Sequence, residues 1–155
     1  MYIVEMNDKN LMDAAECYYN SWLSSHADHV PEDTLSVYSV ERVANVLKKD
    51  NTMDRITFIA YDKNSVNGLV TIDKERSEIA HLYIAPEKQR QGLGTKLLEF
   101  GIKQMTSISR VYTTVLAANN VGVDFFEKYG FEFTGEQRTL KNGMLELKYV
   151  FRKKK

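Results

Sequence analysis

A short glycine-containing segment near the middle of the chain has the residue types of an anion-binding loop. It reads Gln89-Arg90-Gln91-Gly92-Leu93-Gly94, is followed by Thr95, and joins an apolar strand-like run to a helix-like run. Glycine lets backbone N–H groups approach a ligand closely and tolerates positive φ. The first N–H groups of a helix lack internal partners and attract anions. The segment therefore predicts a phosphate or pyrophosphate site. A simple glycine-containing turn with exposed basic residues would have the same sequence pattern.

Two common nucleotide-binding loops do not fit this segment. The chain contains no G-x-x-x-x-G-K-S/T sequence, which a nucleoside triphosphate loop requires. Lys96 and Leu97 follow Gly94, so the third glycine of a dinucleotide-binding fingerprint is missing.

Composition narrows the class of protein. The 155 residues include 43% hydrophobic residues, and 21 Lys plus Arg balance 21 Asp plus Glu. This composition is typical of a globular domain, and it lacks the basic excess of a nucleic-acid-binding protein. The single cysteine, Cys17, excludes an intrachain disulfide or a multi-cysteine metal site and is expected in the core. No apolar run reaches the roughly 18 residues of a membrane span and no signal peptide opens the chain, so we expect a cytoplasmic protein without a membrane partner.

Hydrophobic periodicity predicts the elements that position the loop. We expect strands at 2–5, 55–61, 68–73, 77–85, 111–116, 131–136 and 144–151, and helices at 10–25, 40–49, 91–107 and 120–129. Polar residues 26–35 are expected to form a connection, residues 64–67 a turn, and Asn142-Gly143 a hairpin turn. The order β-α-α-β-β-β-α-β-α-β-β predicts an α/β protein (α+β mixed sheet), with helices on both faces and one domain over 1–155.

Two motifs resemble those of the GNAT superfamily of N-acetyltransferases. Leu82-Tyr83-Ile84-Ala85-Pro86 followed by Gln89-x-x-Gly92-x-Gly94 is similar to its motif A, Q/R-x-x-G-x-G/A. Asn119-x-x-Gly122-x-x-Phe125-Phe126-x-x-Tyr129-Gly130-Phe131 resembles its motif B, N-x-x-A-x-x-F-Y-x-x-x-G-F. The order of elements agrees over the whole chain, and the resemblance is specific from about Glu78 to Phe131.

The resemblance implies a mostly antiparallel central sheet that splays at the fourth strand, and acetyl-CoA as the cosubstrate. Backbone groups of Leu82, Tyr83 and Ile84 would then contact the pantetheine arm. Asn119 would hydrogen-bond the same arm, although a helix N-cap is its alternative role. Residues Gln89, Arg90, Gln91, Gly92, Leu93, Gly94 and Thr95 would hold the pyrophosphate. Phe126 would pack in the core or along the cofactor.

The resemblance also suggests candidates for proton transfer. Glu78 lies 11 residues before Gln89, the offset of the catalytic glutamate in histone-acetylating members, and is the candidate base. His81 is a second candidate, although strand alternation places it on the face opposite Glu78 unless a bulge intervenes. Motif B usually carries a tyrosine acid where this chain has Phe126, so Tyr83, Tyr129 or water would have to protonate the thiolate.

The acceptor is not determined by these residues. Trp22, His26 and His29 lie in the region that forms the acceptor wall in similar proteins, but they are equally compatible with a loop surface. We expect an amine on a small molecule or peptide as acceptor, no metal and, as in many similar proteins, a possible homodimer. The alternative function is a non-catalytic acyl-CoA-binding or regulatory module.

Overall fold

The computed structural model describes residues 1–52, 54–63 and 65–152, which form a seven-stranded sheet and five α-helices. The strands are β1 (Tyr2–Glu5), β2 (Arg55–Asp62), β3 (Ser65–Asp73), β4 (Glu78–Ile84), β5 (Arg110–Leu116), β6 (Glu132–Thr139) and β7 (Leu145–Arg152). The helices are α1 (Leu11–His26), α2 (Glu32–Val37), α3 (Val40–Asp50), α4 (Leu93–Lys103) and α5 (Asn120–Tyr129). Asn64, the first residue of the turn predicted at 64–67, lies outside the described residues, and the rest of that turn is wrong because residues 65–67 belong to β3. No helix among the described residues is both long and apolar enough to cross a bilayer.

The strands follow the order β1-β2-β3-β4-β5-β7-β6, and only β4 and β5 pair in parallel. Helices α1 and α3 pack on one face of the sheet and α4 on the other. Side chains alternate between these faces, so that Leu69 joins the α1 side while Val70 joins the α4 side. The predicted mixed, mostly antiparallel sheet with helices on both faces is confirmed.

Two helical predictions differ from the structure. Helix α2 begins within the connection predicted at 26–35, because Pro31 precedes its first turn and Glu32 and Asp33 carry negative charge at its N-terminus. Helix α4 begins at Leu93 rather than at residue 91, because Gly92 has a φ of 83° that a right-handed helix excludes, and it ends at Lys103 rather than near residue 107.

The parallel pair β4–β5 is short. It consists of Glu78 opposite Tyr112 and Ile79 opposite Thr113. The Thr113 hydroxyl reinforces this end by donating to the carbonyl oxygen of Ile79 over 3.0 Å. Residues 80–84 have no register partner on β5, so a gap opens between β4 and residues 114–116, which we call the wedge. This wedge is the predicted splay at the fourth strand.

A bulge in β4 changes which side chains share a face. Thr71 pairs with His81 and Ile72 with Ile79, so Ala80 has no partner on β3. The extra residue turns Glu78 and His81 toward the same side, that of α1 and α3. Strict alternation would have separated them, and the bulge is the reason that it does not.

Candidate active site

The predicted anion loop continues into the first turn of α4, and its backbone adopts a positive φ at two positions before that helix. Arg90 has a φ of 61° and Gly92 a φ of 83°. The first helical bond runs from Lys96 N to Gly92 O, and among the described residues no backbone acceptor pairs with the N–H groups of residues 90–95. No atom lies within 4 Å of the position that a Cβ on Gly92 would take. The loop therefore presents unpaired donors toward open space, as an anion site requires.

The residues of the loop differ in their contacts and in their exposure to solvent. The Gln89 side chain donates from Nε2 to the carbonyl oxygen of Ile84 over 3.1 Å, which ties the loop to the end of β4. A Cβ on Gly94 would lie 3.1 Å from Cε2 of Phe125, so glycine at this position lets α4 approach α5. Leu93 is buried in the core, while Arg90 and Gln91 are exposed and Thr95 is half-buried.

The wedge is bordered by Leu82, Tyr83 and Ile84 on β4 and, beyond the end of β5, by Asn119. The Asn119 Oδ1 accepts from Gly122 N over 2.9 Å and caps α5. A Cβ on Gly122 would lie 2.5 Å from the Nδ2 of Asn119, so the glycine makes room for this side chain. Asn119 therefore has the alternative role of helix N-cap, and its amide NH₂ is the group that can still bind a ligand.

Two aromatic residues of motif B, Phe126 and Tyr129, pack against other aromatic side chains. Phe126 is buried and packs edge-to-face on Phe125 and Phe131. Tyr129 is the last residue of α5 and packs on Phe131 and Phe151, with burial and the nearby charge of Glu99 raising the pKa of its hydroxyl. A ten-residue helix is about 15 Å long, so the structure does not bring Tyr129 to Asn119 at the other end of α5.

A hydrogen-bonded network on the α1 side of β4 joins four side chains, those of Asp50, Arg55, Glu78 and His81. Arg55 donates from Nη1 to the Oδ1 of Asp50 over 2.9 Å and from Nη2 to the Oε1 of Glu78 over 3.1 Å. The second oxygen of Asp50, Oδ2, lies 2.9 Å from the Nε2 of His81. The hydrogen bond with His81, reinforced by Arg55, holds the pKa of Asp50 below its usual value despite partial burial. Asp50 and Arg55 were not predicted from the sequence.

A cluster of tyrosines, Tyr18, Tyr38 and Tyr83, adjoins this network. The Tyr18 hydroxyl lies 3.5 Å from the Nδ1 of His81, and its ring centroid lies 4.1 Å from that of Tyr83. Burial raises the pKa of Tyr18, and burial beside Tyr18 and Tyr38 raises the pKa of Tyr83 well above its usual value. These hydroxyls are therefore protonated at neutral pH and can donate hydrogen bonds.

A cavity of about 340 Å³ opens between the α1–α2 connection, the end of β5 and the β6–β7 hairpin. It is lined by His29, Pro31, Ala117, Ala118, Asn142, Gly143, Met144 and Leu145. The two histidines considered for an acceptor wall are separated, because His29 lines the cavity whereas His26 is buried. The Nδ1 of His26 lies 3.0 Å from the Trp22 carbonyl oxygen, its ring stacks on Trp22, and burial lowers its pKa.

Comparison with solved structures identifies the same fold. The PaiA N-acetyltransferase from Thermoplasma acidophilum, solved with coenzyme A, has a TM-score of 0.73 at 22% identity, covering 97% of this chain and 100% of that one. The smu.2055 protein of Streptococcus mutans UA159 has a TM-score of 0.75 at 19% identity, with 98% and 99% covered. The ribosomal-protein-S18-alanine N-acetyltransferase of Escherichia coli has a TM-score of 0.72 at 17% identity, with 97% and 92% covered.

Comparison of sequences identifies the family. The spermine/spermidine N(1)-acetyltransferase of Bacillus subtilis (strain 168) is 28% identical over 82 residues, which are 51% of this chain and 49% of the relative. The match thus spans about half the length of that curated relative. The family model of the GNAT acetyltransferase domain matches residues 26–153, well over half of the sequence. The chain therefore belongs to the GNAT family of acetyltransferases.

Proposed function

We propose that this protein transfers the acetyl group of acetyl-CoA to a primary amine, by direct attack within a ternary complex. The observation that carries the proposal is the wedge between β4 and β5, which opens toward the unpaired N–H groups of residues 90–95. A long thioester with a pyrophosphate at one end matches this combination of an anion site and an adjoining gap in a sheet.

In this proposal the loop binds the pyrophosphate and the wedge binds the pantetheine arm. The N–H groups of residues 90–95 donate to phosphate oxygens, with positive charge supplied by Lys88 and Arg90. The arm lies along Leu82, Tyr83 and Ile84, like a strand added at the splay. The Nδ2 of Asn119 donates to an amide oxygen of the arm while its Oδ1 caps α5.

The reaction forms an N–C bond and breaks a C–S bond. The amine nitrogen attacks the thioester carbon, the carbonyl oxygen becomes an oxyanion, and CoA leaves as a thiolate. Backbone N–H groups on the splayed part of β4 are suited to stabilise the oxyanion. An alkyl ammonium has a pKa of about 10.4, so a base is needed to take a proton from the amine at neutral pH.

The candidates for proton transfer are not equivalent in this geometry. Glu78 and His81 lie on the same face and both belong to the Arg55 network. Tyr83 is the candidate acid for the thiolate, because it lies on the splayed part of β4 and its hydroxyl is protonated at neutral pH. Phe126 has no proton to donate, and Tyr129 packs at the opposite end of α5 from Asn119.

The acceptor is proposed to enter through the cavity next to the wedge. Polyamines are the first acceptors to test, because the Bacillus subtilis relative is a spermine/spermidine N(1)-acetyltransferase. Peptides with a free amino terminus form the second group, since the Escherichia coli protein of the same fold acts on a ribosomal protein alanine.

The test is release of free CoA thiol from acetyl-CoA in the presence of spermidine, spermine, simple alkyl amines or peptides, with mass spectrometry of the product. Amine-dependent release and an acetylated amine are expected. Binding of acetyl-CoA without amine-dependent release would support the non-catalytic acyl-CoA-binding module. Absence of acetyl-CoA binding would overturn both functions.

A further inference from the structure

His81 and Asp50 come together where β4 has just separated from β5. Their side chains are 31 residues apart in sequence, yet the Nε2 of His81 lies 2.9 Å from the Oδ2 of Asp50. The bulge at Ala80 turns His81 toward Asp50, which stands at the last position of α3. His81 is the second residue beyond the last β4–β5 pair, and so lies at the closed end of the wedge.

We propose that His81 is the base that accepts the proton of the attacking amine, and that Asp50 positions it. This inference rests on the acetyl transfer proposed above and assigns a residue to its proton-transfer step. A pantetheine arm that starts at the loop and follows β4 toward the closed end of the wedge brings its thioester to the neighbourhood of His81.

The hydrogen bonds around Asp50 select one tautomer of His81. Each oxygen of Asp50 has its own partner, Arg55 Nη1 for Oδ1 and His81 Nε2 for Oδ2. An ionised carboxylate only accepts hydrogen bonds, so the Nε2 of His81 carries the hydrogen. The lone pair then resides on Nδ1, which faces the Tyr18 hydroxyl at 3.5 Å. At that length the contact is at the outer limit of a hydrogen bond, and Nδ1 is available to take a proton.

The same network makes Glu78 the poorer base. Its Oε1 accepts from the Nη2 of Arg55 over 3.1 Å, and its side chain is 33% exposed. A proton arriving on Glu78 would remove the charge that Arg55 pairs with. A proton arriving on His81 instead creates a cation directly beside the Asp50 carboxylate, which stabilises it.

The proton has a short route. The amine N–H passes its proton to Nδ1 of His81, either directly or through Tyr18, whose oxygen accepts one proton as its own hydrogen moves to Nδ1. The N–C bond forms as the proton leaves, the C–S bond breaks, and the other proton that the ammonium nitrogen must lose goes to solvent. The CoA thiolate takes a proton from solvent, or from Tyr83, which then regains one from solvent. The imidazolium then returns its proton to solvent.

Titratable or charged groups surround His81 and its partners on every element packed against them. They are Tyr18, Asp50, Arg55, Asp73, Glu78 and Tyr83.

The test compares His81→Gln, Asp50→Asn and Glu78→Gln with the wild-type protein, using the amine with the highest rate of CoA release. His81→Gln is expected to lower kcat about 100-fold, the usual contribution of a general base, with the acetyl-CoA Kd unchanged. Asp50→Asn is expected to lower kcat about tenfold and to move the acidic limb of the kcat/KM profile to lower pH, because the carboxylate that favours the imidazolium is gone. Glu78→Gln, the matched variant at the other arm of Arg55, is expected to lower kcat less than threefold.

The outcomes separate the base from the overall reaction. His81→Gln that binds acetyl-CoA and retains the wild-type rate overturns the inference while leaving acetyl transfer intact. Loss of the acidic limb in Glu78→Gln but not in His81→Gln would transfer the role to Glu78. A pH profile unchanged in Asp50→Asn would reduce Asp50 to a structural residue and overturn its part. A wild-type protein that releases no CoA with any amine overturns the proposed function and this inference with it. If His81→Gln fails to bind acetyl-CoA, the pH profiles of kcat/KM for Tyr18→Phe and Asp50→Asn decide whether His81 is the base.

Discussion

Gly92 stands at the point where charge has the greatest influence on the proposed pyrophosphate site. Its φ of 83° is one that asparagine and aspartate also adopt, and open space surrounds its Cα. We expect Gly92→Asp to bind acetyl-CoA at least tenfold more weakly than Gly92→Asn, because a carboxylate would occupy the anion-attracting end of α4. Isothermal titration calorimetry measures the difference. Thermal unfolding is the control, since either residue caps a helix well. Equal affinities for the two variants would mean that no anion binds here.

Cys17 is expected to be a poorly reactive thiol. It is 6% exposed, and burial, followed by the nearby charge of Glu87, raises its pKa to about 12. Only the thiolate reacts with disulfide reagents, so labelling at pH 8 is expected to be very slow in the native protein and rapid in urea. The folded protein favours the neutral thiol, so this group contributes stability below pH 9 that is lost as the pH rises toward 12. Rapid labelling of the native protein would contradict the buried position.

At the scale of elements, one side-chain hydrogen bond reinforces the closed end of the wedge. Thr113 is buried and donates to the Ile79 carbonyl, whereas its neighbour Thr114 is exposed. We expect Thr113→Val to lower the free energy of unfolding by about 1–2 kcal/mol, since a buried carbonyl would lose its donor. Thr114→Val, the matched control, should change it by less than about 0.5 kcal/mol. Urea denaturation checks both, and equal effects would show that the bond does not hold the strands together.

The elements themselves were largely predictable from periodicity, because β-branched and apolar runs between turn residues determine strands whatever they pair with. Helix α5 was predicted with its observed bounds, and the glycines before α4 predicted the turn of positive φ at Gly92. The bulge at Ala80 was not predictable, because it exists only through the register of β4 against β3. Asp50 and Arg55 were missed for a similar reason, because only tertiary packing brings them to their partners. Asp50 is 31 residues from His81 in sequence, and Arg55 is 23 residues from Glu78.

At the scale of the whole molecule, the two hydrophobic cores share one sheet. The α4 core contains Val70 and Ile72, and the α1 core contains Ile59 and Leu69. Since neighbouring residues of the same strands contribute to both, neither core is expected to persist without the other. This supports the proposal that 1–155 acts as a single domain.

We therefore expect one cooperative unfolding transition. Trp22, the only tryptophan, is buried in the α1 core, so its fluorescence reports that side, while far-ultraviolet circular dichroism reports all elements. The two urea curves are expected to have the same midpoint. Distinct midpoints would show that the faces unfold separately.

The extra residue in β4 also bears on how this chain is compared with its relatives. Deleting Ala80 would make Ile79 and His81 consecutive, so the strand would alternate regularly while Glu78 and Ile79 kept the faces that they have now. A relative without this residue must be aligned with a gap at position 80, or each of its residues before the gap will be matched to a side chain on the wrong face. A single codon gained or lost at this bulge can thus be absorbed while every side chain around the proposed reaction centre keeps its face.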